Sequence, residues 1–252
     1  RPKLPMRVIS ADGVMLGEYG DERRSYLPID QIPKVMQEAV LAIEDARFYQ
    51  HGGVDGWAVL RAAGQMVRHR RIISGASTIT QQLIKQVQPR PRTFPAKIIE
   101  AAQAWRLERE WDKTRILNAY LSRIDYGNGC VGIAAAAQHY FGKAAAELDW
   151  AESALLAGLP QGPSRLNPRH HFERAQRRQE WVLRRCQRLG WVSDEVLAAA
   201  LRERIRLQPP TREFAAPHFI EFVRAQLEGE PRSGHPERVW TSLDRRLQTQ
   251  CE

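Results

Sequence analysis

A mainly helical protein with a small β element is what this sequence of 252 residues predicts, on three observations. Most segments between Pro33 and Arg204 carry apolar residues at helical spacing. Those segments open at Pro or at Ser, Thr and Asp caps, and several stop at Gly. Strand-like alternation is confined to two stretches near the ends. The length suits one good-sized domain or two small ones, and 43% hydrophobic residues allow a real core. Three segments are expected: 1–30, holding a β-hairpin and lead-in, 31–206 as the main domain, and 207–252 as a linker and the start of something further.

A net charge of +9, carried mostly by arginine, points to an anionic partner such as nucleic acid, a phosphorylated ligand or lipid headgroups. No nucleic-acid-binding motif accompanies the charge, so nucleic acid ranks last. Cys130, Cys186 and Cys251 are odd in number and lack metal-ligand spacing, which indicates neither a disulfide framework nor a zinc site. No apolar run approaches the roughly 18 residues that would span a bilayer. The start at Arg1-Pro2 and the strand-like Val239–Asp244, leading into a helix barely begun at Glu252, read as a fragment.

Taken in order, RVISADGVMLGEY (Arg7–Tyr19) alternates around the turn signal Asp12-Gly13, a hairpin. A helix opened near Pro33 runs through LAIEDARFYQHGGVD (Leu41–Asp55) into the breaker pair Gly52-Gly53. Glu44 and Asp45 therefore fall at its C-terminal end, where the helix dipole disfavours negative charge and raises a carboxyl pKa. A raised pKa is what a general base working near neutrality needs. Taken alone, Glu44 and Asp45 read first as surface acids paired with Arg47; the segments further along the chain are what favour the functional reading.

Trp57 to Arg70 again shows helical spacing and ends in Arg68-His69-Arg70-Arg71 followed by Ile72-Ile73, a tract that suits either a membrane interface or a solvated basic turn. In SGASTITQQLIKQ (Ser74–Gln86), Ser77 and Thr78 precede a helix through Gln81, Gln82 and Lys85. Its first N–H groups could hold an anion, or the hydroxyls could simply cap it. The uncharged hydrogen-bonding groups suit a sugar-like ligand, with Lys85 and Arg92 adding positive charge. TFPAKIIEAAQAWRLEREW (Thr93–Trp111) reads as a long helix with Pro95 in its first turn. Glu100 shares a face with Ala104, Leu107 and Trp111, so this acid must be paired, with Lys97 as local partner, or functional.

Two helices are expected within KTRILNAYLSRIDYGNGCVGIAAAAQHYFG (Lys113–Gly142), joined by a turn over 125–129, with Ala134–Ala137 allowing close packing. Asp149 and Glu152 form a capping pattern for WAESALLAG, which stops at Gly158 before a stiff loop carrying Arg165 and Asn167. Arginine-rich Phe172–Leu189, Ser193–Arg204 and a stretch near 218–227 complete the helices.

Five of these segments resemble, in the right order, the signatures of the peptidoglycan glycosyltransferase domain, glycosyltransferase family 51, found in class A penicillin-binding proteins and monofunctional transglycosylases. They are EDARFYQHGGVD, GASTITQQLIK, the group Arg92…Lys97-Ile98-Ile99-Glu100, RILNAYLSRIDYG…GIAAAAQHYFGK and AESALLAGLPQGPSRLNP, within roughly Arg7 to Arg188. ISGAST and RPRTF resemble most the 1C subgroup.

The resemblance implies a lysozyme-like helical domain with a membrane-associated jaw segment, on the outer, periplasmic face of the bacterial cytoplasmic membrane, anchored by an N-terminal helix outside this sequence. It implies inverting polymerisation of lipid II into β-1,4-linked glycan strands with release of undecaprenyl pyrophosphate, and cell-wall synthesis proteins as further partners. By position Glu44 matches the general base and Glu100 the second family glutamate, near the donor pyrophosphate and any divalent cation, Mg2+ or Mn2+. Lys85 and Arg92 match the residues that stabilise the leaving pyrophosphate. Asp45, Arg47, Phe48, His51, Ser77, Thr78, Gln81, Gln82 and Lys97 are expected to shape the cleft. Ala96 and Ser122 depart from the family's usual basic residue and Asn; no Ser-x-x-Lys tetrad occurs, but TSLDRRLQ (Thr241–Gln248) resembles the linker into a transpeptidase-like domain, so 207–252 is expected to be a linker and the truncated start of one. A lysozyme-like glycan-cleaving enzyme and an inactive lipid II-binding scaffold are the competing readings; Lys85 and Arg92 speak against cleavage of an uncharged chain.

Overall fold

The expected helices form in the computed structural model, which describes residues 6–13, 15–19, 23–24, 27–61, 77–91, 93–209, 219, 222–223, 226 and 238–244. The chain divides into two compact units, Ser25–Leu207 and a second that joins Arg1–Arg24 to Gln208–Glu252.

In the larger unit α1 spans Lys34–Glu44, with Pro33 just outside it as the residue that caps its start. The described part of α2 covers residues 56–61; the rest of the helix expected to Arg70, the basic tract after it and Ser74 lie outside the described residues. Then follow α3 (Ile79–Val87), α4 (Phe94–Glu110) and α5 (Lys113–Leu121), each opened by a side chain that accepts from a backbone N–H of the first turn: Thr78, Thr93 and Asp112. A tight turn carrying the two-residue strand β4 (Cys130–Val131) leads to α6 (Ile133–Phe141), which ends on left-handed Gly142. The chain continues through α7 (Trp150–Gly158), α8 (Phe172–Arg188) and α9 (Asp194–Arg202).

Helix α7 is the axis of this unit. Every residue from Ala151 to Gly158 is buried, as expected of a helix that is apolar nearly all round. Its Asp149–Glu152 capping box forms as the sequence predicts. Helices α1, α8 and α9 pack against it, while α3 packs on α4 and α5. Met36, Val40, Ile116, Leu117, Tyr120, Leu155, Val182 and Leu183 belong to one continuous core. The loop residue Asn167 is structural: its amide donates to the Asn128 side chain at 2.8 Å, and Asn128 in turn donates to the Tyr140 hydroxyl at 3.1 Å.

In the smaller unit the hairpin forms around Asp12-Gly13. Strand β1 (Met6–Ile9) pairs antiparallel with β2 (Met15–Tyr19), with a register irregularity between Val8 and Ile9. The short strand β3 covers Arg23–Arg24. The C-terminal strand β5 (Arg238–Trp240) lies parallel to β1, giving the sheet order β2-β1-β5. Of the helix expected near 218–227, residues 219, 222, 223 and 226 are helical.

Candidate active site

Helix α1 delivers Glu44 as its last residue. The Asp45 N–H still reaches the Leu41 carbonyl at 2.9 Å, but Asp45 itself has left the helix with φ −160°. Glu44 is half-buried and, among the described residues, receives a hydrogen bond from Gln82 Nε2 of α3 to its Oε2 at 2.8 Å. The Gln82 amide is held from the other side by the Tyr120 hydroxyl of α5, which donates to Gln82 Oε1 at 2.8 Å. Both hydrogen bonds fix the amide's orientation, so its N–H2 faces the carboxylate.

The Glu44 carboxyl lies above its ordinary value, chiefly because burial penalises the charged form; the Gln82 hydrogen bond and the Arg178 charge pull it down, and Asp45 pushes it further up. The sequence predicts the direction but assigns it to the helix dipole. Burial among α3 and α5 is the larger cause, and it depends on contacts between segments dozens of residues apart.

Asp45 has a different task. Both its oxygens lie 3.0 Å from His51 Nε2, and its Oδ2 accepts from the Ile79 N–H at the start of α3 at 3.1 Å. The anion at this helix N-terminus is therefore Asp45, and of the two readings of this helix start, an anion site or a hydroxyl cap, the cap is the one that forms. Thr78 and Gln81 likewise form a reciprocal capping box, so they shape the cleft indirectly, by fixing α3. The Thr78 hydroxyl also donates to the Gly53 carbonyl at 2.7 Å. Gly53 has φ +83°, and a Cβ there would lie 2.7 Å from the Ala104 and Trp105 backbone of α4. Only glycine meets both demands.

Arg47 pairs with Asp55 at 3.1 Å, so it answers neither Glu44 nor Asp45. Phe48 is buried, with the Lys113 ammonium 4.3 Å from its ring centroid. These two residues brace the loop.

On α4, Glu100 is 3% exposed and its Oε2 meets Lys97 Nζ at 2.7 Å; the same ammonium donates to Ser77 Oγ at 3.1 Å. The expected apolar-face carboxylate and its partner are both present. Lys85 is half-buried and has no ion pair among the described residues, and Arg92 lies outside them. A divalent cation does not fit the donor set by itself. Glu100 is a lone carboxylate already engaged by an ammonium, and no group of three or more His, Cys, Asp or Glu side chains suited to a metal occurs among the described residues. Tyr120 and Arg178 were not singled out by the sequence. Tyr120's partner, Gln82, stands 38 residues away, a relation that no local spacing reveals.

A half-buried carboxylate with no cation in contact among the described residues, and a second one answered by lysine on another helix of the same mainly helical unit, form an arrangement that suits carboxylate chemistry on a carbohydrate. The profile of the family described as Transglycosylase matches residues 12–187, and the chain belongs to that family. This agrees with the expectation of a peptidoglycan glycosyltransferase domain. The chain is 38% identical to penicillin-binding protein 1A of Neisseria flavescens over 250 residues, covering 97% of this chain and 31% of that protein. It is 38% identical to penicillin-binding protein 1A of Escherichia coli K12 over 254 residues, covering 98% of this chain and 30% of that one. The crystal structure of penicillin-binding protein 1A from Haemophilus influenzae superposes with a TM-score of 0.64 at 27% identity, over 99% of this chain and 28% of that one. The chain thus spans about a third of the length of these relatives.

Proposed function

We propose that this chain polymerises lipid II into β-1,4-linked glycan, with Glu44 as general base. The observation that carries the reading is a half-buried carboxylate that a neutral amide holds in place, its pKa raised by burial and one oxygen left able to accept a proton. In the step, Glu44 takes the proton of the acceptor sugar's 4-hydroxyl as that oxygen forms a bond to the donor's anomeric carbon. The anomeric carbon–phosphate oxygen bond breaks with inversion, and its electron pair leaves on undecaprenyl pyrophosphate.

The departing charge needs neutralising, which is electrostatic stabilisation of the transition state. Lys85, free of an ion pair among the described residues, suits that task, with Arg92 seven residues further along the sequence. Lys97, steadied by Glu100 and Ser77, adds a half-exposed ammonium. No step of this reading runs through a metal. The substrate's lipid tail places the reaction at the outer face of the cytoplasmic membrane, with the exposed Trp57, Leu60, Phe94 and Ile98 suited to that interface. Among the described residues no helix is long and apolar enough to cross a membrane. Cell-wall synthesis proteins remain the natural macromolecular partners of such an activity. ISGAST and RPRTF are what speak for the 1C subgroup; the relatives named above are of type 1A, and the mechanism is the same for either.

The test is polymerisation of labelled lipid II in detergent by the chain and by Glu44→Gln and Glu100→Gln. Glycan from the parent and none from Glu44→Gln supports the reading. Binding of lipid II with no polymer under any metal or detergent condition would replace it with the scaffold.

A further inference from the structure

A cavity of about 280 Å³ lies against the face of α1 that carries Lys34 and Glu38, four residues apart. The loop after Glu44 supplies a second wall through Arg47, Tyr49 and Gln50, and Trp191, on the turn between α8 and α9, supplies a third. These walls are held in place. The Gln50 N–H donates to the Arg47 carbonyl at 2.8 Å, the Trp191 N–H to the Cys186 carbonyl at 3.0 Å, and the Tyr49 ring meets Phe48 edge-on with centroids 5.2 Å apart. The volume is just under the roughly 300 Å³ at which small-ligand sites begin, which suits one ring and not an extended chain. Neither Glu44 nor Gln82 lines the cavity, but Asp45 does, one residue along the chain from the candidate base.

The lining speaks against three classes of guest. A wholly apolar one would leave Arg47 Nε, buried and without a hydrogen-bond partner among the described residues, still unanswered. An anion would find the Arg47 charge already answered by Asp55 at 3.1 Å, and would face Glu38, whose Lys34 partner stands 3.4 Å away with its side chain 86% exposed. A metal cation would meet two cationic side chains, and the Asp45 carboxylate is committed to His51 and to the Ile79 N–H. An uncharged guest remains, with hydroxyls for Arg47 Nε, Glu38 and Gln50 and an apolar face for Tyr49 and Trp191, whose rings join a flat apolar surface to a polar edge. A pyranose is built that way, with C–H groups on its faces and hydroxyls around its rim.

We propose that this cavity is a saccharide-binding site that takes one N-acetylhexosamine unit. That the unit belongs to a glycan strand handled by Glu44 rests on the proposed function; that the cavity takes a sugar rests on its own lining.

The experiment titrates chitotetraose, a soluble chain of N-acetylglucosamine, into the protein labelled with 15N at tryptophan, with Trp191→Phe assigning the Trp191 indole signal. The signal moves saturably, and Tyr49→Ala, a change at an exposed side chain, weakens the binding by about tenfold. Glu38→Ala, on the α1 wall, weakens it too, and serves if Tyr49→Ala fails to fold. A Trp191 signal that chitotetraose leaves in place overturns the proposal, as does a midpoint unchanged in these variants. A signal that answers to acetate and not to chitotetraose overturns it in favour of an anion site at Arg47. The titration needs no turnover, so a parent without polymerase activity would count against the proposed function and not against this site.

Discussion

Glu44 and Glu100 are both carboxylates withdrawn from water on helices of the same unit, and the protein treats them in opposite ways. Glu100 has an ammonium at 2.7 Å, itself steadied by Ser77. Glu44 has no cation in contact among the described residues; it has an amide from Gln82, locked by Tyr120. A buried carboxylate with a bound cation is held ionised, with its lone pairs committed. One whose burial raises its pKa, and which a neutral donor holds through one oxygen, keeps the other oxygen to accept a proton. The difference separates a residue that organises charge from one that can exchange a proton.

The largest way to break this contrast is to remove the base. Glu44→Gln lowers lipid II polymerisation by about 10²–10⁴-fold, the usual contribution of a general base, measured at saturating substrate. The same variant is more stable than the parent at neutral pH. Because burial raises the folded-state value above the ordinary 4.5, the folded protein holds the proton more tightly than the unfolded chain, and stability falls as pH rises through that window. Thermal melts should therefore show the advantage of Glu44→Gln at pH 7 and its disappearance below pH 4.

Gly53→Ala tests the strut between the two carboxylate regions. Positive φ and the 2.7 Å approach to α4 together cost about 3 kcal/mol, read as a lowered midpoint in urea unfolding. Gln82→Leu strips Glu44 of its donor; a hydrogen bond to a charged acceptor is worth roughly 2 kcal/mol, so activity at neutral pH falls about thirtyfold and the acid limb moves to higher pH. Lys97→Ala leaves Glu100 buried and unpaired, for a loss of about 2 kcal/mol in stability. That is less than a fully buried pair would lose, because the Lys97 side chain is 51% exposed. Tyr120→Phe, the smallest change, frees the Gln82 amide to rotate and lowers activity roughly fivefold through about 1 kcal/mol, with little effect on the melt.

Much of the frame was legible in the residues. Helix starts at Thr78, Thr93, Asp112, Asp149 and Ser193 are local signals, because a cap is made within three residues of itself. The Lys97–Glu100 pair is legible for the same reason, being one turn of helix. What the order of residues did not reveal was which group each acid would meet across the fold. The pairing of Asp45 with the start of α3, of Gln82 with Glu44 and Tyr120, and of Gly53 with α4 all join segments brought together only by tertiary packing. The raised state of Glu44 was anticipated from its helix end, yet its main cause is burial, which is a property of the assembled core. Arg178 had no legible signal at all, since a single arginine in an arginine-rich helix looks like its neighbours.

The most direct test of the central claim compares two pH dependences on one preparation: the acid limb of kcat/KM for lipid II polymerisation, which reports the free enzyme's base, and the titration of the Glu44 carboxyl in the free chain. If Glu44 is the base, both midpoints coincide and both lie above the ordinary glutamate value of 4.5. An acid limb that departs from the Glu44 titration, or a Glu44 midpoint at or below that value, would contradict it.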